Sequence, residues 1–105
     1  MESNALKNIK LSGVTYNSAQ DVIRQIVLEA KNHEFQLVRE PWNQFDRNAV
    51  RVDCWTLYVG YIPKHLSEKI AKEIDSGRKL MGVLNKINMC SYSSVLGLTI
   101  DVVEE

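Results

Sequence analysis

The two prolines of this chain, Pro41 and Pro63, punctuate the stretch that most narrows its possible folds. Proline has no N–H to give a sheet ladder and pushes the residue before it toward extended geometry, so Leu37-Val38-Arg39 reads as the end of a strand that Pro41 stops. Trp42-Asn43-Gln44-Phe45-Asp46-Arg47-Asn48 has the composition of an ordered loop, whose Asn and Asp side chains can close Asx-type turns on nearby backbone. Period two resumes at Ala49-Val50-Arg51-Val52 and again from Thr56 to Tyr61, across a short break at Asp53-Cys54-Trp55. That is the pattern of a β-hairpin, and Pro63 then suits the first turn of a helix.

The flanks extend this reading. Asn8 to Tyr16 predicts a first strand with Ile9, Leu11 and Gly13 on one face. Ala19, Val22, Ile23, Ile26, Val27 and Ala30 recur at helical spacing behind Ser18 and Asp21, a capping-box-like pair, and Lys31-Asn32-His33 ends that helix. Phe35 to Arg39 is the next strand. A second helix runs from Pro63 or Lys64 to Asp75, with Leu66, Ile70 and Ile74 facing the core and Gly77 at C′. Leu80 to Met89 predicts a longer strand broken or bulged near Gly82. A turn at Ser91 to Ser94 leads to Leu96, Leu98, Ile100 and Val102, which alternate as in a half-buried strand. About six strands and two helices do not make a large open sheet with layered helices. A small six-stranded barrel with the helices at its ends removes exposed edges, so the expected class is mainly β (α+β), one domain over residues 1–105.

Composition sets limits on function. No apolar run reaches the length of a membrane span, and Met-Glu-Ser-Asn lacks a signal-peptide pattern; with two cysteines read as free thiols, a cytoplasmic location is expected. Glycine-rich phosphate loops, nucleophile elbows and Cys/His metal spacings are absent from the sequence, so neither catalysis nor a cofactor is expected. Thirteen basic residues balance thirteen acidic ones. A protein that coats nucleic-acid backbones without specificity carries a basic surplus, so any nucleic-acid binding here belongs to a small, shaped site.

Arg39-Glu40-Pro41, Asn43, Asp46-x-Asn48-Ala49-Val50 and Val59-Gly60-Tyr61-Ile62-Pro63-Lys64, with Gly13-Val14-Thr15-Tyr16 upstream, resemble the HIRAN domain. The resemblance covers roughly residues 8–77 and implies a modified OB-like barrel with two helices. It also implies capture of the free 3′ end of single-stranded DNA, as in repair and replication, alongside a separately encoded helicase or nuclease. Carried over by motif, Tyr16 and Phe45 are the two base-holding aromatics, Asp46 the carboxylate that bonds the 3′-hydroxyl, and Lys64 a phosphate contact. Tyr61 stands where DNA-binding members place a histidine, Thr15 replaces a basic residue, Gln44 a proline, and Phe45 the usual tyrosine. Arg47 or His65 would restore positive charge.

Each residue also has a plainer reading. Asp46-x-Asn48 is equally an Asx turn, Phe45 a core plug, Trp42 a partly buried ring, Tyr16 rim packing, and Arg39 and Glu40 ordinary surface charges. The alternative function is a protein-interaction or regulatory module on the same barrel, in which Leu96 to Val103 serves as an exposed edge strand. A metal-dependent hydrolase built on Asp46 and Asp53 is a third reading, short of the three convergent oxygen ligands expected.

Overall fold

A computed structural model describes residues 6–29 and 33–105. The chain runs β1 (Leu6–Lys10), α1 (Ala19–Glu29), β2 (Glu34–Arg39), β3 (Val50–Cys54), β4 (Leu57–Tyr61), α2 (Lys64–Asp75), β5 (Leu80–Cys90) and β6 (Ser93–Glu104). All six strands join one antiparallel sheet in the order β1-β6-β5-β2-β3-β4. The sheet curls until its two ends meet: the Ser12 and Tyr61 backbones exchange N–H···O bonds of 2.9 Å in each direction. Pairing the two edges in this way gives the expected OB-like barrel with two helices.

The core follows the apolar periods. Ile9, Leu11, Phe35, Val50, Val52, Val59, Leu98, Ile100 and Val102 fill the interior of the sheet. Ala19, Val22, Ile23 and Ile26 of α1 cover one part of it, with Val27 half-buried, and Ile70 and Ala71 of α2 cover another. Each fully buried Ile, Leu or Val contributes about 1.5–3 kcal/mol of transfer free energy, so this cluster is the main stabilising term. Helix α2 ends in a Schellman motif: Arg78 N–H reaches Glu73 O at 3.2 Å and Gly77 N–H reaches Ile74 O at 3.0 Å, with Gly77 at φ +99°.

Several local expectations are corrected. The first strand stops at Lys10, and residues from Val14 onward turn toward α1, with Gly13 at φ +69° outside the strand. The Ser18 carbonyl accepts the Asp21 and Val22 N–H groups, while the Asp21 carboxylate pairs with Arg24 at 3.4 Å. Ala30, Lys31 and Asn32, assigned to the end of the first helix, lie outside the described residues. Strand β3 continues through Cys54, and the hairpin turn is Trp55-Thr56 with φ of +54° and +65°. These are the signs of a type I′ turn, here made by two residues that disfavour positive φ.

Strand β5 is unbroken at Gly82, and its irregularities fall at Leu84/Lys86 and Met89/Cys90. Gly82 is needed for close approach, because a Cβ there would meet Ile100 Cδ1 at 2.9 Å and Phe35 Cβ at 3.1 Å. Strand β6 lies between β1 and β5, so Leu96 to Val103 is no exposed edge, and edge pairing through it is excluded. Gln20 of α1 further occupies the Leu96 backbone: its Nε2 donates to Leu96 O at 2.9 Å and its Oε1 accepts Leu96 N–H at 2.8 Å.

Candidate nucleic-acid interface

The loop between β2 and β3 is built by its own polar side chains. Asn43 Oδ1 accepts the Phe45 and Asp46 N–H groups at 2.8 and 3.1 Å, and Asp46 Oδ1 accepts Asn48 N–H at 2.9 Å. Asp46 therefore does close an Asx turn. Its other oxygen, Oδ2, accepts the buried Ser67 hydroxyl at 2.9 Å, which ties the loop to the first turns of α2. A carboxylate offers about four acceptor positions, so these two bonds leave further lone pairs for a ligand.

Two charge networks hold this loop at its base. Arg39 donates two parallel bonds to Asp75, at 3.0 and 3.1 Å, and its Nη1 donates to the carbonyls of Arg47 and Ala49. Glu40 is buried, at 6% exposure, which corrects its reading as a surface charge. It accepts the Tyr61 hydroxyl at 2.7 Å, Asn43 Nδ2 at 3.1 Å and Arg51 Nη1 at 2.8 Å. Arg51 also forks onto Asp53 at 3.0 and 3.1 Å. Desolvation opposes the Glu40 charge, yet the bonds from Tyr61, Asn43 and Arg51 outweigh it and hold the carboxyl below its ordinary 4.5. Burial, followed by donation to Glu40, pushes the Tyr61 phenol up to about 12. Asp46 and Asp53 thus face different partners and do not converge on one point.

Above this base lies a groove of about 740 Å³, into which the structure brings all five residues singled out in the sequence: Tyr16, Phe45, Asp46, Tyr61 and Lys64. Tyr16 is 67% exposed and Phe45 is 81% exposed, and both line the groove, so Phe45 is no core plug. Trp42 is 71% exposed, against the partial burial expected. Tyr61 forms part of the lining, with its hydroxyl already donated to Glu40. Lys64 is the first residue of α2 and the cation of the lining; Arg47 and His65 are not part of the wall.

Among the lining residues that sequence reasoning missed, Tyr58 is the aromatic one. Residues 58 and 61 fall on opposite faces of a regular strand. A bulge between Val52 and Asp53 in the β3–β4 ladder shifts the register, and both rings come to one side, edge to face at 5.7 Å. The Tyr58 hydroxyl donates to Gly13 O at 2.5 Å and so fixes the turn that carries Tyr16. The same turn is fastened by Gln20 Nε2, which donates to Val14 O at 2.8 Å.

The HIRAN domain model matches residues 7–94. Among solved structures, the crystal structure of the HIRAN domain of human HLTF superposes with a TM-score of 0.69 at 20% identity, covering 95% of this chain and 74% of that one. A crystal structure of a protein from Lactobacillus plantarum superposes with a TM-score of 0.67 at 24% identity, covering 99% and 98%. At these identities the two structures speak for the fold alone. No curated protein matches the chain. Among the described residues no helix is long and apolar enough to cross a membrane. The match over most of its length establishes that this chain belongs to the HIRAN domain family, a family of DNA-binding modules.

Proposed function

We propose that this protein is a non-enzymatic module that captures the free 3′-hydroxyl end of single-stranded DNA in the groove between Tyr16 and Phe45. One observation carries the reading. Two large aromatic rings, 67% and 81% exposed, line one groove that also holds a carboxylate and a lysine. Exposed rings of this kind are suited to stacking, which every base accepts and which contributes about 1–3 kcal/mol per base. Asp46, fixed by Asn48 N–H and the Ser67 hydroxyl, accepts from the terminal hydroxyl, and Lys64 meets a backbone phosphate. An internal phosphodiester has no hydroxyl to donate, and a terminal phosphate meets the carboxylate as a like charge, so the site reads an end without reading sequence. The processes such a module serves are those that expose 3′ ends, repair and replication.

The test is fluorescence anisotropy with a short labelled oligo-dT, carrying either a 3′-hydroxyl or a 3′-phosphate. A bond to a charged acceptor contributes about 1.5–3 kcal/mol, so the hydroxyl form should bind about tenfold tighter or better. Tyr16→Ala and Phe45→Ala should weaken binding while leaving the melting temperature close to that of the parent, since both rings lie outside the core. Asp46→Asn keeps an oxygen for Asn48 N–H and is preferable to Asp46→Ala, which also opens the loop. Equal affinity for the two ends refutes end capture.

A further inference from the structure

A second groove, of about 470 Å³, lies between α1 and the β3–β4 hairpin and is lined by Val22, Gln25, Trp55 and Leu57 together with Asn17 and Tyr58. Asn17 and Tyr58 also line the end-binding groove, so the two are continuous. Strand β4 contributes to both linings: Leu57 and Tyr58 to the second groove, and Tyr58 and Tyr61, followed by Ile62 and Lys64, to the first. From this continuity we propose that the second groove is the path of the DNA strand upstream of its captured end, with Trp55 and Leu57 as a second stacking platform. The inference rests on the end-capture reading and assigns the route by which the strand leaves the site.

The surface at Trp55 fits that occupant. Trp55 is 41% exposed and Leu57 52% exposed, although Trp55 lies in, and Leu57 directly follows, a tight turn where small polar residues are usual. The Trp55 backbone sits at φ +54°, a conformation a bulky residue rarely adopts, and its indole meets buried His33 edge to face at 5.1 Å. The ring is therefore held in place at the groove wall before any ligand arrives. Asp21 is the charged side chain of this lining, so nothing here grips a phosphate, and bases are the part of the strand the groove suits. The four steps from Leu57 to Tyr61 span about 13 Å, which is about four nucleotides at the stacked rise of about 3.4 Å and fewer in a stretched strand. A footprint of that order also lies within the range of about 4–16 nucleotides found for OB folds.

The experiment compares dT2 with dT6, both 3′-hydroxyl, using the Trp42→Phe protein so that Trp55 is the single tryptophan reporter. One stacked base is worth at least about fivefold in affinity. We expect dT6 to bind at least about fivefold tighter than dT2, with that gain insensitive to salt, and to quench Trp55 emission where dT2 does not. Leu57→Ala, which leaves the strained turn untouched, and Trp55→Ala should each reduce the dT6 gain without changing dT2 affinity. Equal affinities with no quenching overturn this route while dT2 still reports end capture. A gain that neither substitution reduces, and that leaves Trp55 emission unchanged, places the strand elsewhere. If neither oligonucleotide binds, the end-capture reading falls and this inference with it.

Discussion

Replacing Glu40 by Gln tests whether the groove's foundation is assembled as described. Glu40 Oε1 accepts from Tyr61 and Asn43, and Oε2 accepts from Arg51. The substitution keeps the shape and one oxygen, but sets an NH2 group against the Arg51 donor. One charge-assisted bond, worth about 1.5–3 kcal/mol, is lost, and the remaining two become neutral and weaker. Arg51 is about one-third exposed and keeps its fork on Asp53, so it is not left as a bare buried charge, and the net cost stays near the low end at about 2 kcal/mol. For a domain of this size that is a fall in melting temperature of about 8 °C. The sign with pH also follows. Because the folded Glu40 carboxyl lies below its ordinary 4.5, its contribution is complete above that value and is lost as pH falls through the lowered one. Thermal melts followed by circular dichroism should show the parent–variant gap at pH 7 closing in acid, with effects of other carboxylates cancelling in the difference. A gap below about 2 °C at pH 7, or one that does not narrow in acid, refutes the network.

Two further outcomes follow from burial. Cys54 is 1% exposed, and burial, reinforced by the charge of Glu29, pushes its thiol up to about 11, so native Cys54 should alkylate at pH 8 about a hundredfold more slowly than an exposed thiol, read by peptide mass mapping. Gly82→Ala sets a methyl against Ile100 and Phe35 inside the core and should destabilise by about 1–3 kcal/mol in urea melts, and an unchanged midpoint would contradict the close packing of β2 and β6 around Gly82.

What the sequence reveals of this fold and what it hides divide along physical lines. Period two in Leu98, Ile100 and Val102 and helical spacing in Ala19 to Ile26 survive into the structure, because each is set by which side of one element is buried. Tyr16, Phe45 and Asp46 of the loops and Lys64 at the start of α2 carry a motif, and they do meet around one groove. Three features depend on non-local geometry and leave little local trace. The Val52/Asp53 bulge brings Tyr58 and Tyr61 to one side, the ring order buries β6 between two partners, and the Ser12–Tyr61 bridge joins the edges. Glu40 reads as a surface charge because its partners Arg51 and Tyr61 lie on other strands, and only the assembled sheet brings three donors to one carboxylate.

Zero net charge and a DNA-binding family become compatible once the placement of the charges is known. Arg39 and Arg51, which carry much of the basic content near the groove, are engaged by Asp75, Glu40 and Asp53, where they shape the loop and have little reach toward a ligand. Lys64 is the cation left in the groove lining, at the start of α2, where the helix dipole adds to its pull on a phosphate. With so few phosphate contacts, counterion release contributes little, and log affinity for single-stranded DNA should fall only gently with log salt, by about 0.7 per contact. Under the end-capture reading, affinity then depends on ring faces and on one hydroxyl at a fixed carboxylate. Such a site holds a terminus weakly enough to release it and ignores the charged backbone between termini, which a basic surface would not do.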